Sequence, residues 1–100
     1  MADEIRSETN GDRGRYFTSV EGASREAELT WVKRGDVRHA NHTFVPPEAR
    51  GKGIAEKLVK AIIADAREEG FKIAPDCSYV ETYFRRHPDL AELRASSSRH

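Results

Sequence analysis

Apolar and polar residues alternate through the first half of the chain, then recur at spacings of three and four, so strands are predicted to precede a helix. Arg25 to Val32 sets Ala27, Leu29 and Trp31 on one face and Glu28 and Thr30 on the other. Arg15 to Val20 is aromatic and β-branched, and Glu21-Gly22-Ala23-Ser24 supplies the turn between these two strands. Lys33-Arg34-Gly35-Asp36 predicts a second hairpin turn. Val37 to Val45 then reads as a third strand, with Ala40, His42 and Phe44 on one face and Thr43 and Val45 on the other. Connections this short force an antiparallel meander, because parallel neighbours need a long crossover.

The helical period follows. Ile54, Leu58, Ile62 and Ala66 form a row, flanked by Ala55, Val59 and Ile63, and predict a helix over about Glu48 to Glu69 stopped by Gly70. Phe71 to Ala74 is a brief fourth strand ended by Pro75. Ser78 to Arg86 is a second helix, with Ser78 and Glu81 in capping-box spacing and Pro88 beyond its end. The order is β-β-β-α-β-α, an α+β domain with a mostly antiparallel sheet. Residues 1–13 are polar and charged, so a disordered leader is expected there, a domain over 14–94, and a disordered tail over 95–100.

Composition narrows the function class. Lys plus Arg and Asp plus Glu both number 17, giving no net charge, which argues against nucleic acid as the main partner. No apolar run approaches the roughly 20 residues of a membrane span, and no signal peptide opens the chain. The single cysteine, Cys77, cannot form an internal disulfide and suits a reducing cytoplasm.

The junction between the third strand and the long helix carries the chemistry. Thr43-Phe44-Val45-Pro46-Pro47 runs into Arg50-Gly51-Lys52-Gly53-Ile54-Ala55. Two glycines at a helix start leave backbone N–H groups uncovered beside the positive end of the helix dipole, which favours phosphate or pyrophosphate. Arg50 and Lys52 add charge. A Walker loop has no match here, and a dinucleotide fingerprint fails because Glu56 stands at its third glycine and a meander, not a βαβ array, precedes the helix.

Val45-Pro46-Pro47-Glu48-Ala49-Arg50-Gly51-Lys52-Gly53-Ile54-Ala55 resembles the coenzyme A pyrophosphate loop of the GCN5-related N-acetyltransferases, with Arg50, Gly53 and Ala55 at its defining positions. His42-Thr43-x-Val45-Pro46 before the loop, Pro75-x-Cys77-Ser78-Tyr79-Val80 after the fourth strand, and His87-Pro88 resemble the family's compact subfamily of about a hundred residues. The likeness covers about residues 15–94. It implies a three-layer α/β/α fold, acetyl-CoA as cosubstrate, no metal, and an unidentified amine as acceptor.

The resemblance also implies a site. The pyrophosphate meets Arg50, Gly51, Lys52, Gly53, Ile54 and Ala55, and the pantetheine arm lies beside Phe44 and Val45, where a backbone N–H polarises the acetyl carbonyl. Cys77 sits near the thioester as nucleophile or wall. His42 has the pKa range of a base, and Tyr79 or Tyr83 can protonate the departing sulfur. A zinc site is disfavoured because His39 and His42, three apart on a strand, are expected to face opposite sides. The rival reading is a module on the same fold that binds acetyl-CoA or a protein without turnover.

Overall fold

The computed structural model describes residues 4–95. Its strands are β1 (Arg6–Asn10), β2 (Arg13–Thr18), β3 (Ala27–Arg34), β4 (Val37–Phe44) and β5 (Lys72–Pro75), and its α-helices are α1 (Ile54–Glu69) and α2 (Ser78–Arg86). Short 3-10 segments cover Pro47–Ala49 and Pro88–Leu93. The strands form one sheet in chain order. The first four run as the expected antiparallel meander, and β5 joins β4 in parallel after the crossover through α1. The fold class is therefore the expected α+β.

One face of the meander holds the core. Tyr16, Ala27, Leu29, Trp31 and Ala40 cluster with Ile54, Leu58, Val59, Ile62, Ile63 and Ala66 of α1, and the same cluster takes in Ala49, Phe71, Ile73, Val80, Phe84, Leu90 and Leu93. The alternation in β3 and the row in α1 dictate this contact, since each buries its only apolar face. Tyr16 Oη donates to Asp65 Oδ2 at 2.7 Å, tying β2 to α1. The opposite face carries Arg15, Phe17, Glu28, Thr30 and Val32, all half-buried. There Arg15 bridges Glu8, Glu26 and Glu28 and lies over the Phe17 ring.

Three expectations are corrected. The leader expected to be disordered over 1–13 contains a strand: Arg6–Asn10 pairs with β2 through the two-residue loop Gly11-Asp12. Its residues are all exposed, so it is an edge strand held by its ladder rather than by apolar burial, and composition gives no sign of it. The long helix starts at Ile54, not Glu48. Gly51 and Gly53 both take positive φ, at 84° and 78°, and no helix runs through them. Finally, the register between β3 and β4 shifts at Thr30/Trp31, where Thr30 pairs with His42 and Trp31 with Ala40. That bulge inserts Asn41 and breaks the alternation expected of β4. In the tail, Ala95 N–H donates to the Ile73 carbonyl at 2.8 Å, and residues 96–100 lie outside the described residues.

Gly14 makes room for the core. It pairs with Trp31 across β2 and β3, and a Cβ built there would sit inside van der Waals contact of both the indole ring and the Glu8 carbonyl oxygen. Gly14→Ala is therefore expected to destabilise the domain by about 1–3 kcal/mol, as overpacking does, measured as a lowered urea midpoint. An unchanged midpoint would mean that the indole moves aside without cost.

Candidate active site

The turn between Pro47–Ala49 and α1 brings a bare helix end to the surface. Gly53 is the N-cap residue and offers no side chain, and no side-chain hydrogen bond caps the helix. The first helical bond runs from Lys57 N–H to the Gly53 carbonyl, so the N–H groups of Ile54, Ala55 and Glu56 precede the ladder, as at any helix start. Ile54 sends its side chain into the core and contributes only backbone to the surface. A Cβ at Gly51 or Gly53 would meet nothing within 4 Å. The glycines are therefore set by their left-handed backbone, and the space over them is open. Arg50, Gly51, Lys52 and Gly53 are all exposed. Arg50 Nε donates back to the Val45 carbonyl at 3.4 Å, which lays its guanidinium along the end of the strand.

The second feature is a gap in the sheet. The ladder between β4 and β5 ends at Ala40 and Pro75. Cys77 N–H still donates to the Ala40 carbonyl at 2.8 Å, but β4 continues to Phe44 without a neighbour on that side. The edge of β4 from Asn41 onward is thus unpaired on the side where α2 begins. Cys77 lies at the closed end of this gap.

Cys77 is the N-cap residue of α2, half-buried, with Sγ 3.4 Å from Thr43 Oγ1. Burial pushes its thiol pKa up, but hydrogen bonds to the sulfur from Thr43 and from the backbone of Val80 and Tyr79 outweigh this and hold it below the ordinary thiol value. A thiolate at a helix start with donors around it is the arrangement that activates cysteine nucleophiles. Tyr79 follows two residues on and is partly exposed. Its phenol is raised above the usual value by burial, then by Glu56 and Tyr83, so it keeps its proton at neutral pH. Tyr83, one turn further along α2, stacks on His87 with ring centroids 4.1 Å apart.

The residues expected at the site divide between the two faces of the sheet. Thr43 pairs with Leu29 and lies on the core-facing side with Cys77. His42 pairs with Thr30, and Phe44 with Glu28, so both belong to the open face. His42 is exposed, and Arg25 lies over the Phe44 ring at 4.0 Å. The expectation that Ala40, His42 and Phe44 share a face fails for Ala40, because the bulge at Asn41 offsets the two halves of β4 by one residue. The same offset puts His39 and His42 on one face rather than on opposite ones. Thr43 was absent from the expected catalytic set, although its place directly after His42 in the quoted motif was visible. Among the described residues, no group of three His, Cys, Asp or Glu side chains is placed to hold a metal ion, and no helix is long and apolar enough to cross a membrane.

Comparison with known proteins gives these features a context. A family model described as GCN5-related N-acetyl-transferase matches residues 15–93. Protein NATD1 of mouse is 32% identical over 85 residues, covering 84% of this chain and 77% of its own length. The human protein of the same name is also 32% identical, with 75% of its length covered. An NMR structure of a GCN5-like protein from Staphylococcus aureus superposes with a TM-score of 0.71 at 24% identity, covering 100% of this chain and 96% of that one. The last match speaks for the fold alone.

Proposed function

The chain belongs to the GCN5-related N-acetyltransferase family, and on that premise we propose that it transfers an acetyl group from acetyl-CoA to an amine in the cytoplasm. One observation carries the reading: a helix start with no side-chain cap, preceded by two left-handed glycines and exposed Arg50 and Lys52, follows the end of β4 beyond its ladder with β5. These residues fit a pyrophosphate. The space over Gly51 and Gly53 is clear, the N–H groups at the start of α1 are donors, and Arg50 with Lys52 supplies the positive charge.

Acetyl-CoA supplies an activated thioester. The protein's own residues supply the rest. The free edge of β4 beside Val45 gives the pantetheine arm a backbone to follow, and Phe44 closes its other side. Cys77, at the floor of the gap, is the group that receives the acetyl as a thiolate nucleophile. Tyr79 holds a proton for the departing coenzyme A sulfur. Among the described residues, α1 and α2 send their buried side chains into the core cluster on the other face, so an amine approaches from the open face.

Calorimetric titration with acetyl-CoA and, separately, with CoA tests the reading. Binding of both in the micromolar range is expected. Failure of both to bind would remove the enzyme reading and its non-catalytic CoA-binding rival together, leaving a protein-interaction role for the fold.

A further inference from the structure

The bulge at Asn41 gathers a polar set on the open face of the sheet. Thr30 Oγ1 donates to Asn41 Oδ1 at 2.6 Å, which fixes the inserted residue on that side. His39, in register with Val32 and Ala74, is on the same side. It lies one residue before the point where β4 and β5 part. Its Nδ1 is 2.9 Å from Asp76 Oδ2, and Asp76 directly precedes Cys77. An ionised carboxylate only accepts hydrogen bonds, so the pair places the ring proton on Nδ1 and leaves Nε2 as an acceptor. Nucleophilic sites use the same arrangement: a carboxylate fixes the tautomer and orientation of an imidazole base.

Two cavities adjoin on this face, and only the smaller reaches the pair. One, of about 320 Å³, is lined by Val32, Arg34, His39, Asn41 and Asp76. The other, of about 640 Å³, extends across β3, β2 and β1 and shares Val32 and Asn41 with the first. Together they form a groove over the open face that ends where the sheet parts. A cavity near 300 Å³ is at the lower end for a small-molecule site.

We propose that His39, oriented by Asp76, is the base that takes the proton from the acceptor amine, and that the amine enters along this groove. The inference rests on the acetyltransferase reading and deepens it. The amine nitrogen attacks the thioester carbonyl at the parting. The C–N bond forms, the C–S bond breaks, the sulfur leaves with the bonding pair as thiolate, and the nitrogen's proton passes to His39 Nε2. His39 is a catalytic residue in this scheme and Asp76 a positioning residue. His42, on the same face, has no carboxylate partner among the described residues, so the base assigned to it from the sequence moves three residues back along β4. The other charged groups on this face near His39 are Arg34 from β3 and Lys72 from β5. Lys72 is committed to the Glu92 carbonyl, whereas Arg34 faces the same cavity as His39 and disfavours a cationic ammonium beside it.

The test combines three measurements on the full chain. Nitrogen-15 NMR of the histidine rings in the ligand-free protein is expected to show His39 as the Nδ1–H form, and Asp76→Asn to disturb that preference. Release of coenzyme A thiol from acetyl-CoA, with butylamine as acceptor, is followed against pH for wild type, His39→Gln, Asp76→Asn and His42→Gln. His39→Gln is expected to lose about 10²-fold or more in kcat and the acid limb of the profile. Asp76→Asn should lose less, and His42→Gln should keep the limb. Calorimetry should give all four proteins the same acetyl-CoA affinity. Asp76→Asn is isosteric and keeps the test sharp if His39→Gln unfolds. A wild-type rate and profile in His39→Gln would overturn the assignment, as would loss of the limb in His42→Gln alone. Acetyl-CoA binding without butylamine-dependent release would also overturn it. Absence of acetyl-CoA binding to the wild type would instead sink the transferase reading, and the calorimetric arm separates that case.

Discussion

Replacing Arg50 and Gly53 together by alanine is expected to remove measurable CoA and acetyl-CoA affinity while leaving the domain folded. The Arg50 side chain is exposed and donates to the Val45 carbonyl, and its backbone bond to Pro47 survives the substitution, so its removal costs the fold little. Its loss takes away a charge-assisted contact to phosphate worth about 1.5–3 kcal/mol, or roughly one to two decades in affinity. Gly53 sits at φ 78° with open space around it. Alanine fits there sterically but resists the left-handed backbone by about 1–2 kcal/mol. The helix start then either carries that strain or turns its N–H groups away from the ligand. A domain with about 5–15 kcal/mol of stability survives the change. Isothermal calorimetry on the double variant, beside circular dichroism and an Arg67→Ala control from the last turn of α1, reads the outcome. Wild-type affinity in the double variant would place the pyrophosphate elsewhere.

How much of this was legible without coordinates differs from one element to the next. The core row of α1 and the alternation of β3 were legible because each buries a single apolar face against the other. So was the hairpin at Gly35-Asp36, where glycine is dictated by the backbone, whereas the turn at Arg50–Gly53 reads in the sequence as the first turns of the helix. β1 was hidden because its five residues are all exposed. Its only signal was Asn10-Gly11, a dipeptide that favours two-residue hairpin loops. The bulge at Asn41 was also hidden. Period-two reasoning assumes that every residue of a strand pairs with one partner, and a single inserted residue reverses the face of everything beyond it. That reversal separated His42 from the Cys77 side, joined His39 to it on the open face, and brought Thr43 to the sulfur. The pairing of His39 with Asp76 spans 37 positions, and local patterns cannot register a contact between two elements so far apart in the chain.

Cys77→Ala is expected to abolish acetyl transfer by about 10²-fold or more while leaving acetyl-CoA affinity within a factor of about two. The side chain is half-buried at the closed end of the gap and its backbone N–H, not its sulfur, makes the bond to Ala40. Alanine therefore keeps the join between β4 and α2 and removes the thiol alone. Three observations support the proposal that the thiol is the reacting group: its place at the start of α2, the donors from Thr43, Val80 and Tyr79, and a thiol pKa held below the ordinary value despite burial. The sign fixes a pH test. A lowered pKa means that the thiolate appears at lower pH than in an unstructured cysteine, so iodoacetamide alkylation of the folded protein should reach half its plateau below the pH found after denaturation. Thr43→Val removes the side-chain donor and should shift that midpoint upward. Incubation with acetyl-CoA, followed by intact-mass measurement, should show an acetyl increment on the wild type and none on Cys77→Ala. Full turnover in Cys77→Ala would mean that the amine attacks acetyl-CoA directly and that Cys77 only lines the gap. The His39–Asp76 assignment would survive that result, because the proton leaves the same nitrogen in either route.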